Sequence, residues 1–526
     1  MKQKRLFAAL LAVAILVGAS GCRKSNTTGG NESDEYYWST IEYGSDWTDT
    51  SGENSQSAGT SSTGSNTGSN LGNKNNTSSN KNSSANKNSG TSSSTAVEDT
   101  LTNGNAKQKK INLFGEAYVN EREAYEAKNP PYQVPNNLKG TTVKFATWID
   151  HTTTEAKYPM ANFEKATGIK VEWVQIPQKD YYSKLVTMVA SETAPDVILE
   201  NNSSMPMIFE VCQPLNKIKS IDMKDPIWDK GYFNYSKVNG NTYHCNVRNS
   251  VWQTGYLLFY NKKVLIENGI TTPDDYIKAG KWNWSNLVKM LSEFTALNSS
   301  YTGLAMDIIQ YAGASGTGFL QKTGNKFTTG INSSEFTAAC QAFYDLKDKH
   351  LFGGSAASVM KGTSAALVTD SYGLKKTGYF KGVASNVLGF ATVPNPTGGT
   401  QYYPSHYRAY AVCKGAKNPE GAGYFLRYFL DPYNYNWDDI FLSKDAQKAY
   451  LNYCSDVSFD KKVFDYAICR PAFIGDDKEN YWESQHYWDT TINRGVSSQL
   501  STYINTISGE IKNSVKKAND ILSKVS

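Results

Sequence analysis

Hydrophobic positions between residues 139 and 200 follow two periodicities in turn, one typical of strands and one typical of helices. Apolar side chains alternate with polar ones from 142 to 148, and a second alternating run follows Gly168. Between these runs, Met160, Phe163 and Ala166 recur at the spacing of one helical face. Strands that alternate with helices form βαβ units, so we expect an α/β fold with a mostly parallel sheet. The pattern predicts strands at 142–148, 169–174 and 196–199, and helices at 158–167 and 180–191.

Aromatic and polar side chains follow these strands at the place where a ligand is expected. In open sheets of this kind, ligands bind beyond the carboxyl ends of the strands. Trp148 and Asp150 come at the end of the first strand, and Asn202 comes shortly after the third. We therefore expect these three side chains to lie at one edge of the sheet.

The first 22 residues have the pattern of a secretory signal. Three basic residues within the first five precede an apolar run from 6 to 17, which is shorter than the roughly 20 residues that a transmembrane helix needs. The ending ASGC (19–22) resembles the bacterial lipobox, although that pattern favours leucine where this chain has Ala19. The resemblance implies that residues 1–21 are removed and that Cys22 is lipidated, which anchors the protein to a membrane. An ordinary signal peptide cut nearby is the alternative.

The stretch 22–110 is predicted to be a disordered tether. Of the 50 residues from 51 to 100, 38 are Ser, Thr, Asn or Gly, which leaves almost no apolar surface to bury. As a flexible coil, its ends would lie on the order of 50 Å apart. The folded part is then expected from about residue 111 to the C-terminus.

Charge and residue spacing exclude two kinds of function. The net charge is +5, three of these charges fall in the first five residues, and the remainder is too balanced for a nucleic-acid-binding protein. No two of the five histidines lie within five residues of each other, which excludes an HExxH zinc motif, and we predict no metal or cofactor.

Aromatic residues make up 13% of the chain, which favours flat, amphipathic ligands. Six cysteines follow Cys22, and both disulfides and free buried thiols are consistent with their spacing.

The order of segments in the folded part resembles a known family. KGTTVKFATW (139–148), FEKATGIKVEWV (163–174) and YYSKLVTMVASETAPDVI (181–198) resemble the first lobe of the family 1 extracellular solute-binding proteins, the maltose-binding-protein-like substrate receptors of ABC importers. Further segments in family order are GYLLFYNKKVLIENGI (255–270), GTSAALVTDSYGL (362–374), GFATVPNPTGG (389–399), GAKNPEGAGYFLRYFL (415–430) and SGEIKNSVKKANDILSKV (508–525). The chain departs from the family pattern at two places: Asn283-Trp284, where the family has Thr-Trp, and Ser371-Tyr372-Gly373, where it has G-x-W.

The resemblance implies a periplasmic-binding-protein-like clamshell of two hinge-linked lobes that closes on a ligand. Lobe one would comprise 139–247 and about 400–455, and lobe two about 250–395 and 456–526. The implied function is that of a lipid-anchored, monomeric receptor on the extracellular face of a bacterial membrane. It would capture a carbohydrate, most simply an oligosaccharide, and deliver it to the transmembrane subunits of an ABC permease without catalysis.

Sugars present apolar C–H faces and a ring of hydroxyls, so their sites combine aromatic platforms with polar side chains. The predicted ligand-binding residues are Trp148, Asp150, Asn202, Arg248, Trp252, Asp307, Tyr311, Asp370, Tyr372, His406, Tyr407 and Arg408. Several of these residues have an alternative role: Trp148 and Trp252 in packing, Arg248 and Arg408 in solvated or hinge-bridging positions, and His406 in a loop.

Two other classes of function stay open. A secreted glycoside hydrolase needs two carboxylates that flank the scissile bond, and Asp150, Asp307 and Asp370 are candidates whose separation the sequence does not give. No GxSxG motif or metal-ligand spacing supports other hydrolytic chemistry. A sugar-sensing or adhesion protein of the surface would bind ligand without transport, and a permease encoded beside the gene would distinguish it from a transport receptor.

Overall fold

The computed structural model describes most of the chain after residue 103. The predicted signal sequence, Cys22 and the greater part of the predicted tether lie outside the described residues. The first described helix begins at Gly104, before the predicted end of the tether at residue 110. The described residues are 104–151, 157–177, 180–201, 206–252, 255–318, 321–405, 408–456, 463–465 and 495–525.

Strands and helices alternate in the first part of the described chain, as the sequence predicted. Each of the three strands and two helices predicted between 142 and 199 is present, with its ends moved by one or two residues. The elements are α1 (Gly104–Phe114), α2 (Glu116–Glu126), β1 (Thr142–Thr147), α3 (Lys157–Thr167), β2 (Lys170–Gln175), α4 (Tyr181–Ala190), β3 (Val197–Asn201), α5 (Ile208–Val211) and α6 (Lys230–Tyr235).

The chain then builds a second group of elements. They are β4 (Tyr256–Asn261), α7 (Lys262–Glu267), α8 (Pro273–Lys278), α9 (Trp284–Thr295), β5 (Thr302–Ala305), α10 (Ile308–Ala314), β6 (Gln321–Thr323), β7 (Lys326–Thr328), α11 (Ser334–Asp348), α12 (Ala356–Lys361), β8 (Ser364–Asp370) and β9 (Leu388–Ala391). The last elements are β10 (Tyr403–Ser405), β11 (Arg408–Val412), α13 (Pro419–Leu430), α14 (Trp437–Ile440), α15 (Lys444–Asp456), β12 (Val463–Asp465) and α16 (Leu500–Ser523).

The first sheet has the strand order β11-β3-β1-β2. β1 runs parallel to β2 and β3, and β11 adds an antiparallel edge strand. Helix α13 covers this sheet, since Phe145 of β1 packs against Phe425 and Phe429 with ring centroids 5.4 and 5.3 Å apart. A segment more than 200 residues downstream therefore completes the sheet that the N-terminal βαβ units begin.

The second sheet has the order β5-β8-β4-β9. β5 and β8 are parallel, whereas β4 runs antiparallel to both β8 and β9. The prediction of mostly parallel sheets therefore holds for the first sheet and is wrong for the second, which is mixed. The reason is that β4 enters between two strands that run the opposite way, and all six of its residues are buried. No described helix is both long enough and apolar enough to span a bilayer.

The departure from the family pattern at Asn283 has a local explanation. The Asn283 side chain accepts a hydrogen bond from the backbone N–H of Asn286, so this residue is the N-cap of α9. Asparagine and threonine both satisfy free N–H groups at a helix start, which makes the exchange conservative for the fold.

Candidate functional site

Arg408 lies at the carboxyl edge of the first sheet. β11 is antiparallel to β3, and its first residue, Arg408, pairs with the last residue of β3, Asn201. Trp148 and Asp150 follow the carboxyl end of the neighbouring strand β1. Topology thus gathers at one edge residues that are about 260 positions apart in sequence.

The second sheet has a corresponding edge. β8 ends at Asp370, which pairs with Tyr256 at the start of β4. β5 is parallel to β8 and ends at Ala305, two residues before Asp307. Asp307, Asp370 and the segment that enters β4 therefore share one edge of this sheet, beyond the carboxyl ends of β5 and β8. Open α/β sheets bind ligands at such an edge.

Asp370 is held by its own loop. Its Oδ1 accepts a hydrogen bond from the backbone N–H of Tyr372 at 2.9 Å, and its Oδ2 accepts one from the Tyr379 hydroxyl at 3.3 Å. The two tyrosine rings meet edge to face at 5.4 Å. Burial raises the pKa of Asp370, and the positive charge of Arg408 opposes this effect without cancelling it.

The influence of Arg408 on Asp370 links the two sheets, since one residue begins β11 and the other ends β8. Arg408 is only 9% exposed, and its Nε donor has no hydrogen-bond partner among the described residues. A buried donor without a partner costs free energy comparable to a lost hydrogen bond. A ligand oxygen that accepts a hydrogen bond from Nε would satisfy this donor.

Three predicted aromatic platforms lie in packed surroundings. The Trp252 indole N–H donates to the Tyr435 hydroxyl at 2.9 Å, and its ring stacks on Phe429 at 5.7 Å. Trp148 is 7% exposed and meets Tyr181 edge to face at 4.8 Å. Tyr311 is fully buried, and its ring contacts Trp284 and Phe343 at 5.2 Å each. In this conformation the rings of all three pack against other aromatic side chains of the protein.

Two further predicted residues have defined neighbours. The Arg248 guanidinium reaches Glu121 of α2 at 3.3 Å, so its side chain points toward the N-terminal helices. Asp307 is buried, and its backbone carbonyl accepts from the N–H of Gln310 at 2.9 Å at the start of α10. Asn202, His406 and Tyr407 lie outside the described residues.

Sequence reasoning missed two residues that act on Asp370, Tyr379 and Lys375, and one residue in the packed surroundings of Trp252, His151. Tyr379 binds Asp370, Lys375 lies with its Nζ 4.8 Å from the Trp252 ring centroid, and the buried His151 meets the Trp252 ring edge to face at 5.4 Å. None belongs to a motif, because each is placed by a loop whose path depends on tertiary packing. Tyr379 could have been suspected only from its position in the loop that follows Asp370.

Known structures share this architecture. The galacto-N-biose-/lacto-N-biose I-binding protein of an ABC transporter from Bifidobacterium longum superposes with a TM-score of 0.52 at 15% identity, covering 71% of this chain and 98% of that one. The sugar-binding protein MalE from Xanthomonas citri gives 0.52 at 15% identity, covering 73% and 98%. An extracellular solute-binding protein from Staphylococcus aureus in complex with maltose gives 0.53 at 14% identity, covering 72% and 98%. These likenesses confirm the predicted two-lobe α/β fold.

The sequence itself matches a family model. No curated protein sequence matches the chain. The model of the bacterial extracellular solute-binding proteins matches residues 149–435, which is more than half of the chain and includes both carboxyl edges. The chain therefore belongs to the bacterial extracellular solute-binding protein family.

Proposed function

We propose that the protein is the substrate receptor of an ABC importer and that it captures a carbohydrate between the carboxyl edges of its two sheets. The observation that carries this proposal is the electrostatic influence of Arg408 on Asp370, which couples a buried charged group of the first sheet to one of the second. The family consists of extracellular solute-binding proteins, and the three structural neighbours described above are named as binders of sugars or were solved with maltose.

The chemistry of the pair suits a sugar. A carboxylate accepts hydrogen bonds from hydroxyls, and a guanidinium donates to hydroxyl oxygens, so neighbouring hydroxyls of one ring can bind both. The half-buried rings of Tyr372 and Tyr379 beside Asp370 offer apolar surface for C–H faces. The ligand would make these contacts together only when the lobes approach, and this differential binding favours the closed state.

The remaining expectations belong to the same proposal. Lobe one comprises 139–247 and about 400–455, and lobe two comprises about 250–395 and 456–526. The protein is a non-catalytic monomer, attached to the extracellular face of the membrane through lipidated Cys22, and its partners are the transmembrane subunits of the permease. The ligand site also includes Asp150, Asn202, Tyr407 and His406, beside the described pair.

A thermal-shift screen of the mature chain against mono- and oligosaccharides tests the proposal. A ligand that binds only the native state adds about 2.7 kcal/mol of stability at a hundredfold excess over Kd. We expect one sugar series to raise the Tm and to be recovered unchanged. Consumption of the sugar would establish a hydrolase instead, and no shift with any sugar would overturn the carbohydrate ligand.

Matched variants locate the site. Asp370→Asn keeps the side-chain shape, Arg408→Gln replaces the guanidinium with a shorter neutral amide, and each is expected to reduce the shift strongly. Arg248→Gln and Asp348→Asn are controls, because Arg248 faces Glu121 and Asp348 is exposed at the end of α11. Equal losses in the test and control variants would place the ligand elsewhere.

A further inference from the structure

Two cysteines distant in sequence form a cross-strand pair in the first lobe. Cys212 directly follows α5 and Cys413 directly follows β11, and the two residues are antiparallel bridge partners. The backbone hydrogen bonds flank the pair: Gln213 N–H donates to the Val412 carbonyl at 2.9 Å, and Lys414 N–H donates to the Val211 carbonyl at 2.8 Å. The cysteines themselves exchange no backbone hydrogen bond, so they occupy a non-hydrogen-bonded position of the ladder.

This position has the spacing that a disulfide needs. In non-hydrogen-bonded antiparallel pairs the Cα atoms are about 4.5 Å apart, and the side chains approach each other closely. Disulfides join cysteines whose Cα atoms are roughly 4.4–6.8 Å apart. Both side chains are fully buried, and the two thiols interact directly. The structure holds both as thiols.

We propose that Cys212 and Cys413 are joined by a disulfide in the secreted protein. The oxidant is a small-molecule disulfide encountered outside the cytoplasm. One cysteine thiolate attacks it and forms a mixed disulfide, and the second thiolate then displaces the remaining half. Two protein thiols are oxidised, one small disulfide is reduced to two thiols, and the two protons pass to those thiols.

Burial determines when this oxidation occurs. Desolvation, together with the neighbouring Cys413, raises the pKa of Cys212 well above its usual value, so the folded protein presents no reactive thiolate there. Neither sulfur is accessible to an oxidant once the lobe has formed. The bond therefore forms during folding, before the chain around α5 and β11 closes over the pair.

The bond would stabilise the lobe without changing the ligand site. Cys413 follows the end of β11 opposite to Arg408, and its backbone N–H donates to Asp196 at the amino end of β3. The cross-link closes a loop of about 200 residues that contains the whole second sheet, which restricts the unfolded chain strongly. The redox state should accordingly change stability and leave sugar affinity alone.

Peptide mapping under non-reducing conditions tests the proposal. The mature chain is unfolded, refolded in a buffer of oxidised and reduced glutathione, alkylated and digested. We expect one linked peptide pair that contains Cys212 and Cys413, which separates on reduction. Recovery of both cysteines as alkylated thiols in the folded protein, or linkage of either to a different cysteine, overturns the proposal.

Thermal unfolding provides the second readout. Wild type that has been unfolded and refolded in reductant is expected to have a Tm several degrees below that of the oxidised form, whereas the same treatment should leave the Tm of the Cys212→Ala/Cys413→Ala double variant unchanged. Cys340→Ala is the matched control, because Cys340 is equally buried in α11 and should keep the reductant effect. An equal response of the wild type and the double variant to reductant would contradict a structural role for the bond.

Discussion

Two buried aspartates show how the neighbouring residue decides what a carboxylate does. Burial alone would raise the pKa of Asp431, but two guanidinium N–H groups of Arg122, helped by Arg427, bring it below the usual value. Among the described residues, the Asp370 carboxylate accepts hydrogen bonds from one hydroxyl and one backbone N–H, and its pKa is raised. Asp431 is therefore a satisfied structural ion pair, whereas Asp370 retains acceptor capacity for a ligand.

As the pH is lowered, ligand affinity is expected to fall at a higher pH than it would if Asp370 had the pKa of an ordinary aspartate. Because the folded pKa of Asp370 is raised, its carboxylate becomes protonated at a higher pH than the usual value of about 3.9. Protonation removes an acceptor for sugar hydroxyls, so calorimetric titration from about pH 7 to about pH 4 should show weakening. In Asp370→Asn the affinity should be low at every pH, and a flat wild-type profile would contradict this role.

Removing one partner of the Arg122–Asp431 pair is expected to destabilise the protein severely. Both side chains are nearly inaccessible, so Asp431→Asn leaves Arg122 buried and incompletely paired. We expect this change to lower the free energy of unfolding by about 3–5 kcal/mol. The pair stabilises the protein above the unfolded pKa of about 3.9, and this contribution is lost as pH falls through the lower folded pKa.

Denaturant unfolding measures this effect at neutral pH. Arg122→Lys keeps the charge but loses the two-pronged geometry, and should also be clearly less stable. Arg248→Ala is the control, since its ion pair with Glu121 is exposed and should contribute at most about 1 kcal/mol. Equal costs for the buried and exposed pairs would refute the assignment.

At the scale of elements, local residues decide where a helix or strand begins and ends. They do not decide which other element it packs against or pairs with. α8, α9 and α11 each begin after a side chain that accepts from a backbone N–H, namely Thr272, Asn283 and Ser333. β11 shows the opposite case, because it completes the first sheet only after the chain has built the second. Local residues thus define where an element lies in the sequence, and packing defines what it joins.

The N-cap of α9 offers a prediction at this scale. Asn283→Ala leaves a backbone N–H without its partner and should cost about 1 kcal/mol of stability. Asn283→Thr restores the residue type that the family pattern carries and should be close to wild type. Midpoints of chemical denaturation compare the two, and equal stability of the alanine and threonine variants would show that the cap contributes nothing.

At the scale of the whole molecule, the N-terminal helices α1 and α2 pack against the segment that runs from α13 to α14. Arg122 of α2 binds Asp431, and Phe114 of α1 contacts Trp437 with ring centroids 5.3 Å apart. Glu126 also pairs with Arg427 of α13, which covers the first sheet. Ion pairs therefore join these helices to the segment that covers the first sheet.

Closure itself is a measurable expectation. If a sugar bridges Asp370 and Arg408, saturating ligand should reduce the radius of gyration measured by small-angle X-ray scattering. A sugar that gives no thermal shift is the control and should leave the scattering unchanged. An unaltered radius at saturation would mean that ligand binds without hinge closure, which would argue against the clamshell mechanism.

The local pattern was sufficient for much of the fold. The alternating strands and helical spacing between 142 and 199 predicted five elements within two residues, because periodicity and capping are properties of neighbouring residues. The sequence also singled out Asp370 and Arg408, which both lie at carboxyl edges. It did not show that they influence each other, since that electrostatic influence depends on the approach of two sheets.

Tertiary structure alone decided the rest. It made β4 antiparallel and the second sheet mixed, it packed Trp252 and Tyr311 among aromatic neighbours, and it brought Cys212 to Cys413. An aromatic residue in a strand–loop pattern has the same local signal whether its ring faces a ligand or a core. The sequence by itself determined the family, the elements and the candidate residues, whereas long-range packing decided which of those side chains stay available for binding.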